Sequence, residues 1–159
     1  LRAREARLLA ELALKLKNGK ARGDGLFDVW MMQESDLVQG LAQAYGERWV
    51  LQCNIERIKT CDPGLAPTLS LMARLAAVTW LEADLGWFVA EGLLSPRMGR
   101  AVGVEGRALC REVAPLALDL ITAFGLPAHM QHAPIAGDWE QYNSFDNFGE
   151  VLPEMQRQS

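Results

Sequence analysis

The sequence predicts an all-α protein, an up-and-down helical bundle of about four long helices followed by a C-terminal tail of loops and short helices. Three observations lead there. Apolar residues recur at three- and four-residue spacing through most of the 159 residues. No stretch alternates apolar and polar residues as a half-buried strand would, and glycine and proline clusters cut the periodic stretches into helix-sized lengths.

The first periodic stretch, RAREARLLAELALKLK from Arg2 to Lys17, is rich in strong helix formers. Leu9, Leu12, Ala13 and Leu16 are expected to face inward, with Arg4, Arg7, Glu11 and Lys15 in water. Gly19, Gly23 and Gly25 then point to an exposed connection over Asn18–Asp28. A second helix is expected to begin between Asp28 and Ser35 and to run to about Lys59, carried by Leu37, Leu41, Ala44, Tyr45, Arg48, Leu51, Cys53 and the run Ile55 to Ile58. Gly46 inside it suggests a close helix crossing, because glycine in a helix otherwise costs about 1 kcal/mol relative to alanine. Cys61-Asp62-Pro63-Gly64 and Pro67 make the next turn.

The bundle is expected to pack around Thr68 to Glu91. One apolar stripe there runs through Leu71, Leu75, Val78, Leu85 and Phe88, and a second through Leu69, Met72, Ala73, Ala76, Trp80, Ala83 and Trp87. A helix apolar around most of its circumference is a central one, wrapped on most sides by its own chain. Arg74, Glu82 and Asp84 interrupt the run before it fills the roughly 20 apolar residues of a bilayer crossing, so no membrane span is expected.

Gly92 is placed to end this helix, and Ser95-Pro96 reads as an N-cap followed by proline at the first helical position. The fourth helix is expected over Pro96 to Phe124 with the stripe Leu109, Val113, Leu116, Leu120 and Phe124. Gly99, Gly103 and Gly106 should weaken its first half, and Pro115 should kink or split it. Gly125 and Pro127 close it. The tail beyond mixes aromatics with short polar side chains, a composition for turns and short capped helices, with Asp138 available to cap one that carries Trp139 and Tyr142.

With 50% hydrophobic and 23% charged residues the chain has the composition of one globular domain, and its net charge of -4 argues against a nucleic-acid partner. The cations near the start, Arg2, Arg4, Arg7, Lys15, Lys17, Lys20 and Arg22, read as a solvated helix face. Cys53, Cys61 and Cys110 lack metal or disulfide spacing and are expected as buried reduced thiols. The chain opens without Met in what already reads as helix, so a fragment of a longer protein is expected.

Candidate chemistry is sparse. His129 and His132 stand three apart, but Met130, Gln131 and nearby prolines suggest a loop and no third ligand stands out, so no metal site is expected. Glu82 and Asp84 are two apart on a helix and point in different directions, which argues against paired-carboxylate catalysis. Asp146 and Glu150 read as capping or salt-bridging groups, and Trp80 and Trp87 as core aromatics. Neither a phosphate-binding glycine loop nor a nucleophile elbow is present, and no residue is assigned to catalysis.

Three segments in order carry a resemblance: AYGERWVL (Ala44 to Leu51), LEADLGWFVAEGLLSP (Leu81 to Pro96) and APIAGDWEQYNSFDNFGEV (Ala133 to Val151), with the FGLP of residues 124–127 between the last two. In this arrangement the chain resembles the C-terminal helical region of acyl-CoA oxidases over almost its whole length. The resemblance implies a flavoenzyme with FAD that oxidises fatty acyl-CoA to trans-2-enoyl-CoA and reduces oxygen to hydrogen peroxide, the first step of fatty acid β-oxidation. The catalytic carboxylate and the main FAD-binding segments of that family lie N-terminal to the matched region. The resemblance further implies that residues 1–159 form one helical domain packed against its own N-terminal catalytic domains in a homodimer, with the tail, 127–159, docking on the bundle or on a partner domain. Trp139, Tyr142, Phe145 and Phe148 are the candidate docking residues, since such aromatics are unfavourably solvated unless covered.

Many members of that family end in a peroxisomal tripeptide such as Ser-Lys-Leu, whereas this chain ends Gln158-Ser159. The resemblance therefore implies a peroxisome for a eukaryotic source and cytoplasm for a bacterial one. Two other readings stand beside it: a non-enzymatic helical interaction module, and the related acyl-CoA dehydrogenase class, which passes electrons to a flavoprotein instead of oxygen.

Overall fold

The computed structural model describes residues 1–131, 133, 137, 138 and 140. The dense run of Ala, Leu, Glu and Arg builds α1, Arg2–Arg22, which passes Lys17 and so overruns its expected end. The reason is Gly19. It is buried, and its missing side chain admits Val29, whose Cγ2 would collide with a Cβ placed there. The glycine read as a breaker is thus a packing surface, and the helix ends instead at Gly23, whose φ of 88° provides the left-handed cap. Arg22 and Gln33 then hold Asp24, with Arg22 Nη2 2.8 Å from its Oδ2. Those hydrogen bonds, from Arg22 first and Gln33 second, keep the Asp24 carboxyl below its usual value. This latch is closed at neutral pH and opens as acid protonates the carboxylate.

A single π-helical turn, Asp28–Gln33, follows, closed by the Glu34 amide donating to the Val29 carbonyl at 2.9 Å. It buries Val29 in the Gly19 notch and leaves Trp30, Met31 and Met32 outside. The second long helix, α2, is Ser35–Thr60. The expected turn forms as an Asx-type bend, the Gly64 amide donating to Asp62 Oδ1 at 2.7 Å. Next come α3 (Ala66–Ala83), α4 (Leu85–Ala90) and α5 (Pro96–Val113). Ser95 caps α5, its Oγ accepting from the Met98 amide at 3.2 Å. Pro115 splits the final helix as expected, giving a 3-10 turn over Ala114–Leu116 and then α6, Ala117–Thr122.

All regular structure among the described residues is helical, and the four long helices are α1, α2, α3 and α5. The chain divides into two units, Leu1–Leu116 and Ala117–Ser159. In the first, α1 packs on α2, α2 on α3 and α3 on α5, with α4 against α3 and α5. The second contains α6 and a 3-10 turn at Ala128–Met130.

Two expectations about the centre need correction. The segment Thr68 to Glu91 is not one helix, because the chain breaks at Asp84 between α3 and α4. Nor is it wrapped on most sides. Its neighbours α2 and α5 cover two sides, so that in α3 only Ala73 is fully buried, while Met72 and Thr79 reach solvent. The core of the described residues is small: Leu8, Leu12, Val29, Ala44, Ala73, Phe88 and Leu109.

The glycines also exchange roles. A Cβ on Gly46 meets nothing within 4 Å, so no helix crosses there. Gly99 and Gly106, expected to weaken α5, are instead buried where it lies on its neighbours: a Cβ would sit 3.4 Å from Leu85 Cδ1 and 3.4 Å from Val78 Cγ1, respectively. This contrast gives opposite outcomes for one substitution type. Gly46→Ala is expected to stabilise by about 1 kcal/mol through helix propensity. Gly19→Ala is expected to destabilise by about 1–3 kcal/mol, because stiff, buried Val29 must move. Urea unfolding of both variants checks this, and stabilisation by Gly19→Ala would contradict the packing.

Candidate functional site

The polar centre of the first unit is an arginine that the sequence places in water. Arg4 is 4% exposed. Its Nη1 donates to Glu47 Oε2 at 2.8 Å, and its Nη2 lies 2.6 Å from Asp84 Oδ2. The buried stripe of α1 is accordingly Arg4, Leu8, Leu12 and Gly19; of the expected stripe Leu12 is buried and Leu16 partly so, while Leu9 and Ala13 face solvent. Two carboxylates from other elements turn the helix: Glu47 from mid-α2 and Asp84 from the break between α3 and α4. Glu47, 7% exposed, also accepts from Gln43 Nε2 at 2.8 Å through Oε1. Asp84 Oδ2 is buried and makes no well-aligned hydrogen bond among the described residues, so its contact with Arg4 is an ion pair.

A second pairing lies one residue along on each helix. Arg48 Nε donates to Glu5 Oε2 at 2.5 Å and Nη2 donates to Oε1 at 3.1 Å, a two-point grip that raises the guanidinium above its usual value. The same guanidinium lies 5.0 Å from the Tyr45 ring centroid and 5.6 Å from that of Trp49, and the two rings stack at 6.3 Å with 9° between planes. Farther out, Arg7 Nη1 bonds both the Glu91 carbonyl and its Oε2, and Arg74 reaches Glu105 at 2.7 Å, tying α3 to α5.

The residues singled out from the sequence are not brought together. Trp139, Tyr142, Phe145 and Phe148 lie outside the described residues, as do His132, Asp146 and Glu150. His129 is exposed in its 3-10 turn. Glu82 and Asp84 do diverge: Glu82 lies along Gly103 and Gly106 of α5, Asp84 faces Arg4. Trp87 meets Phe88 edge to face at 5.3 Å and 88°, but Trp80 and Trp87 are half-buried rather than the core aromatics expected. The thiols are free, but Cys53 and Cys110 are exposed rather than buried, and Cys61 is only partly buried. Among the described residues no group of three His, Cys, Asp or Glu is arranged to hold a metal, and no helix is long and apolar enough to cross a membrane.

The groove between Arg2, Arg48, Gln52 and Lys59, about 270 Å³, is small for a flavin dinucleotide, and Arg48 and Gln52 are already engaged with Glu5 and Glu56. Sequence reasoning missed Arg4 because its partners lie 43 and 80 residues away, where no local spacing reports them. The available signal was that Glu47, Arg48 and Asp84 sit inside two of the segments that carry the resemblance.

Comparison with known sequences agrees with that resemblance. The family profile described as acyl-CoA oxidase matches residues 1–138. Acyl-coenzyme A oxidase 2, peroxisomal, of Arabidopsis thaliana is 31% identical over 146 residues, covering 91% of this chain and 21% of the relative. Acyl-coenzyme A oxidase 3, peroxisomal, from the same plant is 28% identical over 145 residues, again 91% of this chain and 21% of the relative. The chain thus spans about a fifth of the length of these relatives. No solved structure matches it.

The Arg4 node makes a sharp contrast with its exposed neighbour. Arg4→Leu leaves Glu47 and Asp84 without their cation and is expected to cost about 3–5 kcal/mol. Arg7→Leu removes an exposed pair and is expected to cost no more than about 1 kcal/mol. Chemical denaturation of the two variants decides it, and equal small losses would contradict the node.

Proposed function

The chain belongs to the acyl-CoA oxidase family, and from that premise we propose that it is a helical supporting domain of a flavin-dependent acyl-CoA oxidase. The whole enzyme removes a hydrogen from each of the α and β carbons of a fatty acyl-CoA and reduces oxygen, yielding trans-2-enoyl-CoA and hydrogen peroxide. In this reading the catalytic base and the main FAD-binding segments belong to other parts of that polypeptide. What supports this reading is how the family-like segments use their charges: Glu47 and Arg48 of AYGER, and Asp84 of LEAD, are all engaged with α1. Groups committed to holding helices together build a wall for a site rather than the site itself.

In this reading residues 1–159 act as one supporting domain that packs against the catalytic body and strengthens a homodimer. The aromatics Trp139, Tyr142, Phe145 and Phe148 anchor the tail. The peroxisomal names of the plant relatives favour a peroxisome for a eukaryotic source, and a bacterial source implies cytoplasm.

The full-length protein tests the activity. With a saturated acyl-CoA and air it is expected to consume oxygen and release peroxide and enoyl-CoA in equal amounts. Turnover only with an electron-accepting flavoprotein, without peroxide, would contradict an oxidase. Truncating the full-length protein after Pro134 is expected to lower flavin retention and the melting temperature. Unchanged values for both would reject the anchoring role of the tail.

A further inference from the structure

The last turns of α1 and the chain that returns from them enclose a cavity outside the charge network described above. Because Gly19 lets the helix run on past Lys17, Leu16, Lys17 and Lys20 share one face of it. Gly23 then reverses the chain. The Asp24 amide donates to the Gly19 carbonyl at 3.0 Å, and the Val29 amide donates to the Gly25 carbonyl at 3.1 Å, which fixes the return. The cavity so formed measures about 560 Å³ and is walled by Leu16, Lys17, Lys20, Asp24, Leu26 and Val29. Small-molecule sites span about 300–1,000 Å³.

Two kinds of chemistry meet in this wall. Leu16, Leu26 and Val29 form an apolar bed, with Leu26 left 70% exposed at its rim. The charges beside that bed do not cancel. Lys15 and Arg22 of the same helix are engaged with Glu34 and Asp24, at 3.1 and 2.8 Å, whereas the exposed ammonium groups of Lys17 and Lys20 have no partner among the described residues. Asp24, the acid of the wall, is already matched by Arg22 and Gln33. Asp28 lies outside the wall with its carboxylate against Gly25. Two unmatched cations therefore stand over an apolar bed, and lysine stems can lie along such a bed while their ammonium groups stay at its edge.

We propose that this cavity binds an anionic amphiphile, a molecule with one apolar chain and one carboxylate or phosphate group. The chain lies on Leu16, Leu26 and Val29, and the anion sits between Lys17 and Lys20. Simpler ligands fit worse. An inorganic anion leaves the apolar bed in water, and a neutral hydrocarbon leaves both ammonium groups unmatched. Carboxylate and phosphate share the required charge and accept hydrogen bonds from ammonium groups. The site is built within residues 16–29 and does not depend on the oxidase reading.

The test uses the full-length protein and dodecanoate carrying a diazirine at the end of its chain. Irradiation is followed by mapping of the labelled peptides, which separates this cavity from any other that accepts an apolar chain. The expected result is saturable labelling within residues 16–29, displaced by unlabelled dodecanoate or dodecyl phosphate. Dodecanol, which has the chain without the charge, is expected to compete about tenfold less well. Combining Lys17→Gln with Lys20→Gln, both at exposed positions, is expected to weaken labelling there by about tenfold without moving the melting temperature. Displacement by either anion supports the proposal, and the one effective at lower concentration identifies the head group. No labelling within residues 16–29, dodecanol competing as well as dodecanoate, or unchanged labelling of the double variant would each overturn it.

Discussion

The fold of the first unit turns on one buried cation. Arg4 reaches from the first turn of α1 to Glu47 in the middle of α2 and to Asp84 at the break between α3 and α4, so one guanidinium sets the position of three elements. Desolvating it is costly, and the return comes only from the geometry of its partners. Such a node contributes little net stability compared with an apolar cluster, but it penalises every arrangement in which the three carboxylate and guanidinium groups do not meet. The break at Asp84 belongs to the same device: a continuous helix through residue 84 would carry that side chain along the α3 axis instead of presenting it to α1.

The remaining packing is built from close approaches rather than from bulk. Few apolar side chains are fully buried, and several of the tightest contacts use glycine: Val29 sits in the notch at Gly19, Leu85 and Val89 against Gly99, Val78 against Gly106. Helices arranged side by side in the order α1, α2, α3, α5 bury one or two faces each and leave the others bare. That accounts for the many large apolar residues at the surface, among them Trp49, Ile55 and Val104. A domain that forms one wall of a larger body has this distribution of surface, with rigid inner contacts and apolar outer faces.

Much of the architecture was legible from local signals. The turn at Asp62-Pro63-Gly64, the Ser95-Pro96 start of α5, the glycine stop at Gly92 and the split at Pro115 are each set by the chemistry of one or two residues, and each appears where that chemistry puts it. What local reading could not deliver depended on partners far along the chain. Gly19 and Gly46 are alike as residues, yet one faces Val29 and the other faces open space. Arg4 and Arg7 share a helix and a charge, yet only Arg4 lies over two carboxylates. Periodicity in Thr68–Glu91 marked apolar stripes but not the break at Asp84 nor how few neighbours would come to cover them. The family resemblance was legible in three short segments, and the residues in two of them turned out to be those that α1 grips.

The central claim is that Arg4 and Glu47 act as one unit, and a double-mutant cycle on Arg4→Met and Glu47→Leu measures it most directly. The account predicts that Arg4→Met strands buried Glu47 while Glu47→Leu takes from Arg4 one of its two partners and leaves Asp84, so that the double change, which removes the stranded Glu47 carboxylate, costs less than the sum by about 2–3 kcal/mol. Additive losses within about 0.5 kcal/mol would show that the two groups do not depend on each other, and would contradict the account.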